Sequence, residues 1–259
     1  MLGSEDLGDG LKAVFVLENG FSPDTGALGN GGRLFGRNAY VGLNSDQLGE
    51  LKLGRTLNLA FSWLPSIASP FGLAMGRNTV GSTFGFDDDS FGNGRVDNSV
   101  YYTSPSMGGL QAAGGYSFNI GTPLPGANIV NEAAGSKNNN RMLDLGARYT
   151  GGPVQAGVSY MRTDVAASAT SQADPSAITV GASYDFRLLK VHVGYSRLRN
   201  TQTEPSGRAL SNPGWLTAWR NDDQAYSAGI SAPLGRGTIA GRSRAQAIYR
   251  QATPSVLPH

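Results

Sequence analysis

The sequence contains no cysteine and only two histidines in 259 residues. Without cysteine, the chain forms neither a disulfide framework nor a thiolate metal site. The two histidines, His192 and His259, do not have the spacing of zinc ligands, and no nucleophile-elbow motif accompanies them. We therefore predict no catalytic residue, no metal site and no cofactor, and we do not expect the protein to be an enzyme.

Charged side chains are also scarce in this sequence. They make up 15% of the residues, and the formal net charge is +2 at pH 7. The sequence has no long basic block of the kind that binds nucleic acids. We therefore expect no nucleic-acid partner.

Long apolar runs are missing as well. Residues 56–76 carry no charge, but Pro65, Pro70 and several serines interrupt this segment, which favours a loop over a transmembrane helix. Glycine, in contrast, is abundant, with 37 residues, and the mean hydropathy of -0.24 is too low for helical membrane spans. This composition favours many short strands that are joined by turns.

Alternation indicates strands that have one apolar face and one polar face. In residues 11–18, Lys12 and Glu18 begin and end the even-numbered face, whereas the odd-numbered face is apolar throughout. A strand in a membrane barrel places apolar side chains towards lipid and polar side chains towards the lumen. We therefore predict that Lys12 and Glu18 face water inside a barrel. About ten segments can be interpreted as strands in this way.

The connections between the predicted strands alternate in length. Short turns are interleaved with long connections at residues 22–31, 121–140, 164–176 and 200–224. Short turns on one side and long loops on the other are typical of bacterial outer-membrane barrels. A soluble β-sandwich also has regularly spaced turns, so a sandwich that binds partners is an alternative.

Several segments resemble the porins of β-proteobacteria, in the order in which that family has them. They are residues 3–15 (GSEDLGDGLKAVF), 17–21 (LENGF), 32–43 (GRLFGRNAYVGL), 53–55 (LGR) and 98–105 (NSVYYTSP). The chain therefore resembles the Gram-negative general porins, and weaker similarity of strands and turns continues to about residue 240.

The resemblance implies an all-β fold, namely a transmembrane antiparallel β-barrel in the bacterial outer membrane. Barrels of this family have about sixteen strands, of which this chain supplies roughly eleven or twelve. The resemblance also implies a homotrimer that is surrounded by outer-membrane lipid and lipopolysaccharide. The implied function is a water-filled channel for passive diffusion of small hydrophilic solutes and ions, with a mild preference for anions.

Arginines in the matching segments are the candidate selectivity residues. The resemblance implies that Arg37 lies on the wall of the pore constriction, that Arg55 is its neighbour one strand along, and that Arg33 extends the row. Guanidinium groups stay charged at any working pH, and a low-dielectric wall focuses their field on anions. A solvated surface arginine is the alternative for Arg37 and Arg55.

The longest interval between predicted strands, residues 58–96, is where the third loop of the family folds into the barrel and narrows the pore. It contains Asp87, Asp88 and Asp89, adjacent carboxylates that repel one another unless cations lie nearby. In a constriction loop, these aspartates face the arginine wall and set a field across the pore. A solvated acidic turn and a calcium site are alternatives, although contiguous aspartates lack the ligand spacing of a calcium-binding loop.

Both ends of the chain differ from the family pattern. We predict a partial barrel domain over residues 1–241, without the first strand and the closing strands, and an atypical tail over residues 242–259, where the alternation disappears. Two other functions stay open, an outer-membrane adhesion or structural barrel with a blocked lumen and a porin fragment that does not function. Lys12, Glu18 and Arg37 argue against a blocked lumen, because a plugged barrel has less need of a charged wall.

Overall fold

The computed structural model describes residues 1–72, 84, 94–120, 139–165, 174–201, 221–234 and 237–250. In this part of the chain, twelve strands form one antiparallel sheet, and each strand pairs with the next in sequence order. The predicted all-β antiparallel fold is thus confirmed, and β1 and β12 are the two edges of the sheet. The strands are β1 (Leu2–Gly8), β2 (Leu11–Glu18), β3 (Asn38–Ser45), β4 (Gly49–Leu57), β5 (Arg95–Thr103), β6 (Leu110–Ser117), β7 (Arg141–Gly151), β8 (Val154–Asp164), β9 (Ser176–Asp185), β10 (Lys190–Thr201), β11 (Asn221–Leu234) and β12 (Gly237–Arg250).

The two faces of the sheet differ in their chemistry. In β8, exposed and buried side chains alternate: Val158 and Tyr160 are exposed, whereas the residues that follow each of them, Ser159 and Met161, are buried. The same alternation continues in β9, in β10 and in residues 225–230 of β11. We call the face with the buried side chains the inner face. Apolar side chains that point outwards and small or polar ones that point inwards suit a sheet with lipid outside and water inside.

In the described residues, three short helices lie in the connections between strands. α1 (Gly29–Gly32) is one irregular turn between β2 and β3, and α2 (Leu59–Trp63) and α3 (Pro65–Ala68) follow β4. The loop that we predicted over residues 56–76 therefore contains two short helices in its described part. None of the helices in the described residues is long and apolar enough to cross a membrane.

Residues 58–72, which we call the inserted segment, lie against the inner face. The side chain of Asn58 caps α2, because it accepts a hydrogen bond of 2.8 Å from the backbone N–H of Phe61. Pro65 stands in the first turn of α3, where its missing N–H would have no helical partner. Ala60 and Leu64 have 0% exposed surface, so the segment contributes much of the described core.

Glycines on five successive strands make room for the inserted segment and for Phe84 further along the same connection. A methyl group added at Gly194 would lie 2.5 Å from the ring of Phe84, and one added at Gly229 would lie 2.6 Å from Pro70. A strand residue without a side chain allows another segment to approach the backbone closely. We call these five positions the glycine track; they are Gly146, Gly157, Gly181, Gly194 and Gly229.

The last strand continues across the predicted domain boundary at residue 241. β12 pairs with β11 from Gly237, opposite Leu234, to Arg250, opposite Asn221. Backbone pairing therefore continues where the apolar–polar alternation of the sequence ends. The remaining residues of the predicted tail, 251–259, lie outside the described residues.

Candidate functional site

Two of the predicted wall arginines meet at one carboxylate. Arg33, which directly follows α1, places its Nη1 2.6 Å from Oδ2 of Asp97 in β5. Arg55 in β4 donates from Nη1 to Oδ1 of the same carboxylate, and from Nε to the carbonyl oxygen of Gly36 at 2.8 Å. Asp97 therefore joins Arg33 and Arg55, although it lies 64 and 42 residues from them in the sequence.

Arg37, the third predicted wall arginine, pairs with Glu18. The Nε of Arg37 lies 2.6 Å from Oε1 of Glu18, and the side chain of Asn38 donates to Oε2 of the same carboxylate. The backbone N–H of Arg37 donates to the carbonyl oxygen of Glu18 at 3.1 Å, which extends the ladder between β2 and β3 by one residue. Both side chains stay partly exposed, so the pair contributes little stability.

Irregular strand ends, and not alternation, determine where Arg37 and Arg55 lie. Both have odd numbers, and the odd positions of β3 and β4 include the exposed Val41 and Leu53 of the outer face. Arg37, however, comes before the first residue of β3. A register shift against β5, with a φ of 133° at Gly54, comes immediately before Arg55. The contacts of the two arginines therefore do not follow from the parity of their positions.

Arg95 and Asp97 were missed by the sequence interpretation. The Nε of Arg95 donates to the carbonyl oxygen of Arg37 at 3.1 Å, and its guanidinium carbon lies 5.6 Å from the centre of the Phe61 ring in α2. Among the described residues, Arg95 has no carboxylate within ion-pair distance. A signal was available, because Arg95 follows a glycine as Arg33, Arg37 and Arg55 do, but this dipeptide recurs elsewhere in the chain.

Asp144 in β7 holds the beginning of α2 in place. Its Oδ2 accepts a hydrogen bond of 2.7 Å from the backbone N–H of Leu59 and one of 2.9 Å from the hydroxyl group of Tyr101. Its Oδ1 is buried and has no hydrogen-bond partner among the described residues. The first N–H groups of a helix have no partner within the helix, so Asp144 satisfies one of them and joins the segment to β5 and β7.

The end of the inserted segment is joined to β10 and β11. The Nδ1 of His192 donates to the carbonyl oxygen of Ile67 at 2.9 Å, since a carbonyl oxygen can only accept. The hydroxyl group of Ser227 donates to the carbonyl oxygen of Ala68 at 3.3 Å. These bonds satisfy carbonyl groups at the end of α3. His192 is therefore a strand residue that positions the segment.

Of the remaining predicted site residues, the structure describes the two lumen-facing ones, Lys12 and Glu18, and does not describe those of the constriction loop. Lys12 lies opposite Asp6 of β1 and Asn44 of β3, and Asn44 lines the inner-face cavity that is described below. Glu18 lies at the other end of the same face of β2. The predicted constriction-loop residues lie outside the described residues, and they are Asp87, Asp88 and Asp89.

The sheet has an apolar outer face and a polar, charged inner face, and the inserted segment crosses the inner face. This is the arrangement of an outer-membrane barrel with an internal constriction. The model of the Gram-negative porin family matches residues 1–247 of this chain. The chain belongs to this family, which places it in the bacterial outer membrane. The matching relatives are porins, which are channels and not enzymes.

Individual relatives show the same similarity over most of this chain. An outer membrane porin protein of Bordetella pertussis is 36% identical over 248 residues, which cover 90% of this chain and 63% of that protein. Outer membrane porin protein 32 of Delftia acidovorans is 31% identical over 239 residues, which cover 90% of this chain and 59% of that protein. The solved structure of an anion-selective porin from Comamonas acidovorans has 27% identity and a TM-score of 0.69, and the match covers 94% of this chain and 66% of that one. The chain thus spans about three fifths of the length of these curated relatives.

Proposed function

We propose that this protein forms a water-filled channel in the outer membrane, through which small hydrophilic solutes and ions diffuse passively with a mild preference for anions. In this proposal the protein is not an enzyme and uses no cofactor. The observation that carries the proposal is the inserted segment, which is bonded to the inner face next to a cluster of arginines. A charged constriction of this kind selects ions in channels.

The balance of charge in the cluster supports the preference for anions. Within the described residues, four arginines come together with two carboxylates, Glu18 and Asp97. Guanidinium groups cannot lose their charge at working pH, and a low-dielectric wall strengthens their effect on permeating ions. The four arginines are Arg33, Arg37, Arg55 and Arg95. The similarity to the anion-selective porin from Comamonas acidovorans also supports a preference for anions.

Planar-bilayer recordings of the refolded chain under a salt gradient test this proposal. We expect discrete conductance steps and a reversal potential on the anion side. Arg37→Glu reverses one charge of the cluster, so it is expected to move the reversal potential towards the cation side. An unchanged reversal potential in Arg37→Glu argues against the arginine wall. A silent membrane, with the full-length Bordetella pertussis relative active in the same lipid, argues for a fragment that does not function.

The proposal includes a homotrimer that lies in outer-membrane lipid and lipopolysaccharide. Membership of the porin family supports this assembly. The mass of the refolded protein in detergent, measured by light scattering with the detergent contribution subtracted, tests it. A mass of three chains is expected, and a mass of one chain at all concentrations contradicts the assembly.

A barrel with a blocked lumen, which serves adhesion or structure, is the second candidate. The observation in its favour is that the described core lies on the inner face, where the inserted segment buries Leu64 and Ile67. Such a barrel resists heating in detergent but does not conduct. Detergent-stable protein that inserts into bilayers without conductance steps favours this candidate over the channel.

A further inference from the structure

Arg148 in β7 differs from the predicted wall arginines, because no carboxylate among the described residues pairs with it. Its Nε and Nη2 donate to Oε1 of Gln111 in β6 at 2.9 and 2.7 Å. Its guanidinium carbon lies 4.7 Å from the centre of the Trp63 ring in α2. A neutral amide and an aromatic ring therefore hold this cation in one orientation without neutralising its charge.

The contacts of Arg148 leave part of its guanidinium available. A guanidinium has five N–H donors, and Gln111 occupies the edge that Nε and Nη2 form. The remaining donors are both N–H groups of Nη1 and the second N–H of Nη2. Two N–H groups on neighbouring nitrogens form a planar fork, which fits the two oxygens of a carboxylate.

Arg148 lines a cavity of about 680 Å³ between the inserted segment and strands β3 to β7. Binding sites for small molecules have volumes of about 300 to 1,000 Å³. Lys52 also lines the cavity, but its Nζ lies 2.8 Å from Oε2 of Glu50, so these two charges offset each other. The other carboxylate of the lining, Asp46, lies on the exposed turn between β3 and β4. Arg148 is thus the lining cation whose charge no described carboxylate offsets.

We propose that this cavity binds small organic carboxylates, with the carboxylate group held by the free end of the Arg148 guanidinium. The site is distinct from the arginine cluster around Asp97, because it is built on β6, β7 and Trp63. Orientation of the guanidinium before binding reduces the conformational entropy that is lost when a solute binds. The inference names a solute class for the proposed channel and rests on it, since a solute reaches the cavity through the water-filled interior.

Fluorine NMR of the refolded chain in detergent tests the site without requiring conduction. The probe is 4-fluorobenzoate, and 4-fluorobenzamide has nearly the same shape without charge, so it controls for partition into micelles. We expect saturable line broadening for the carboxylate and none for the amide. Arg148→Gln is expected to raise the dissociation constant about tenfold or more, because it removes charge-assisted hydrogen bonds.

Two further variants make the test specific. Arg148→Lys keeps the charge but loses the fork, so a smaller rise in the dissociation constant is expected. Arg162→Gln removes an equal charge from an exposed arginine that pairs with Asp164 and Asp174, and it is expected to leave binding unchanged. If Arg148→Gln does not refold, Arg148→Lys decides the question, since an affinity equal to that of the wild type overturns the inference.

The outcomes separate this inference from the proposed function. An anion-selective pore whose affinity for 4-fluorobenzoate does not depend on Arg148 overturns the site and leaves the channel standing. Binding that depends on Arg148 in a protein that never conducts supports the site and contradicts the channel. Equal broadening of the carboxylate and the amide also overturns the site, because it shows partition into detergent.

Discussion

Asp97 shows how one side chain influences the charge of the whole arginine cluster. Its two carboxylate oxygens pair with Arg33 and Arg55, and only 16% of its side chain is exposed. Asp97→Asn removes a negative charge and keeps the size of the side chain. We expect the anion-to-cation permeability ratio to rise by about threefold at low salt, because the field of an arginine pair is no longer offset. Reversal potentials in planar bilayers measure this ratio.

Matched substitutions test whether the effect belongs to the cluster. Asp174→Asn removes a carboxylate that pairs with the exposed Arg162 at the end of β8, so it is expected to leave the ratio unchanged. Arg95→Gln removes a cation from the cluster and is expected to shift the ratio in the opposite direction. A ratio that falls in Asp97→Asn, or rises in Arg95→Gln, contradicts the assignment of these residues to the pore wall.

At the scale of elements, Asp144 connects the inserted segment to the sheet. Asp144→Ala leaves the N–H of Leu59 and the hydroxyl group of Tyr101 without their acceptor. We expect this variant to lower the free energy of unfolding by about 2 kcal/mol, since each buried hydrogen bond that is lost contributes about 0.5 to 1.5 kcal/mol. Tyr101→Phe removes one of the two bonds and is expected to have about half the effect. Urea unfolding in detergent measures both, and a larger loss in Tyr101→Phe contradicts the role of Asp144.

The glycine track makes a second element-scale prediction. A Cβ at Gly181 would lie 3.0 Å from the Cβ of Ala68 in α3. Gly181→Ala is therefore expected to displace the segment, to lower the free energy of unfolding by about 1 to 2 kcal/mol, and to change the single-channel conductance.

Gly241 in β12 is the matched control for this substitution. A Cβ at Gly241 has no neighbouring atom within 4 Å, so Gly241→Ala is expected to be neutral or stabilising. Thermal unfolding and conductance distinguish the two variants. Equal effects of Gly181→Ala and Gly241→Ala show that crowding against the inserted segment does not matter.

At the scale of the whole molecule, the number of strands determines the width of a barrel. The described sheet has two edges, β1 and β12, and backbone groups on a strand edge cannot stay unpaired in lipid. When this chain is refolded by itself, we expect its edges to pair with each other. Barrel diameter increases with strand number, so the conductance is expected to be lower than that of the full-length Bordetella pertussis relative in the same salt. Equal conductances contradict a barrel that this chain closes alone.

Much of this architecture was predictable from local sequence patterns. The alternation in residues 11–18 predicts a strand, because successive side chains of a strand point to opposite faces. The prolines and serines in residues 56–76 argue against a membrane-spanning helix, and the described part of this segment forms two short helices on the inner face. The short helices themselves were not predicted, because four or five residues give too little periodicity to indicate a helix.

By itself, the sequence determined the all-β class and the succession of short strands, because these features depend on neighbours along the chain, and its resemblance to the porins implied the antiparallel order. Only the tertiary structure decided that Asp97 joins Arg33 to Arg55, and that Arg148 faces a cavity beside Trp63. Such contacts depend on the register between strands and on where the inserted segment crosses them. The glycine track shows the same limit, since each glycine matters through a residue that is distant in the sequence and adjacent only in the fold.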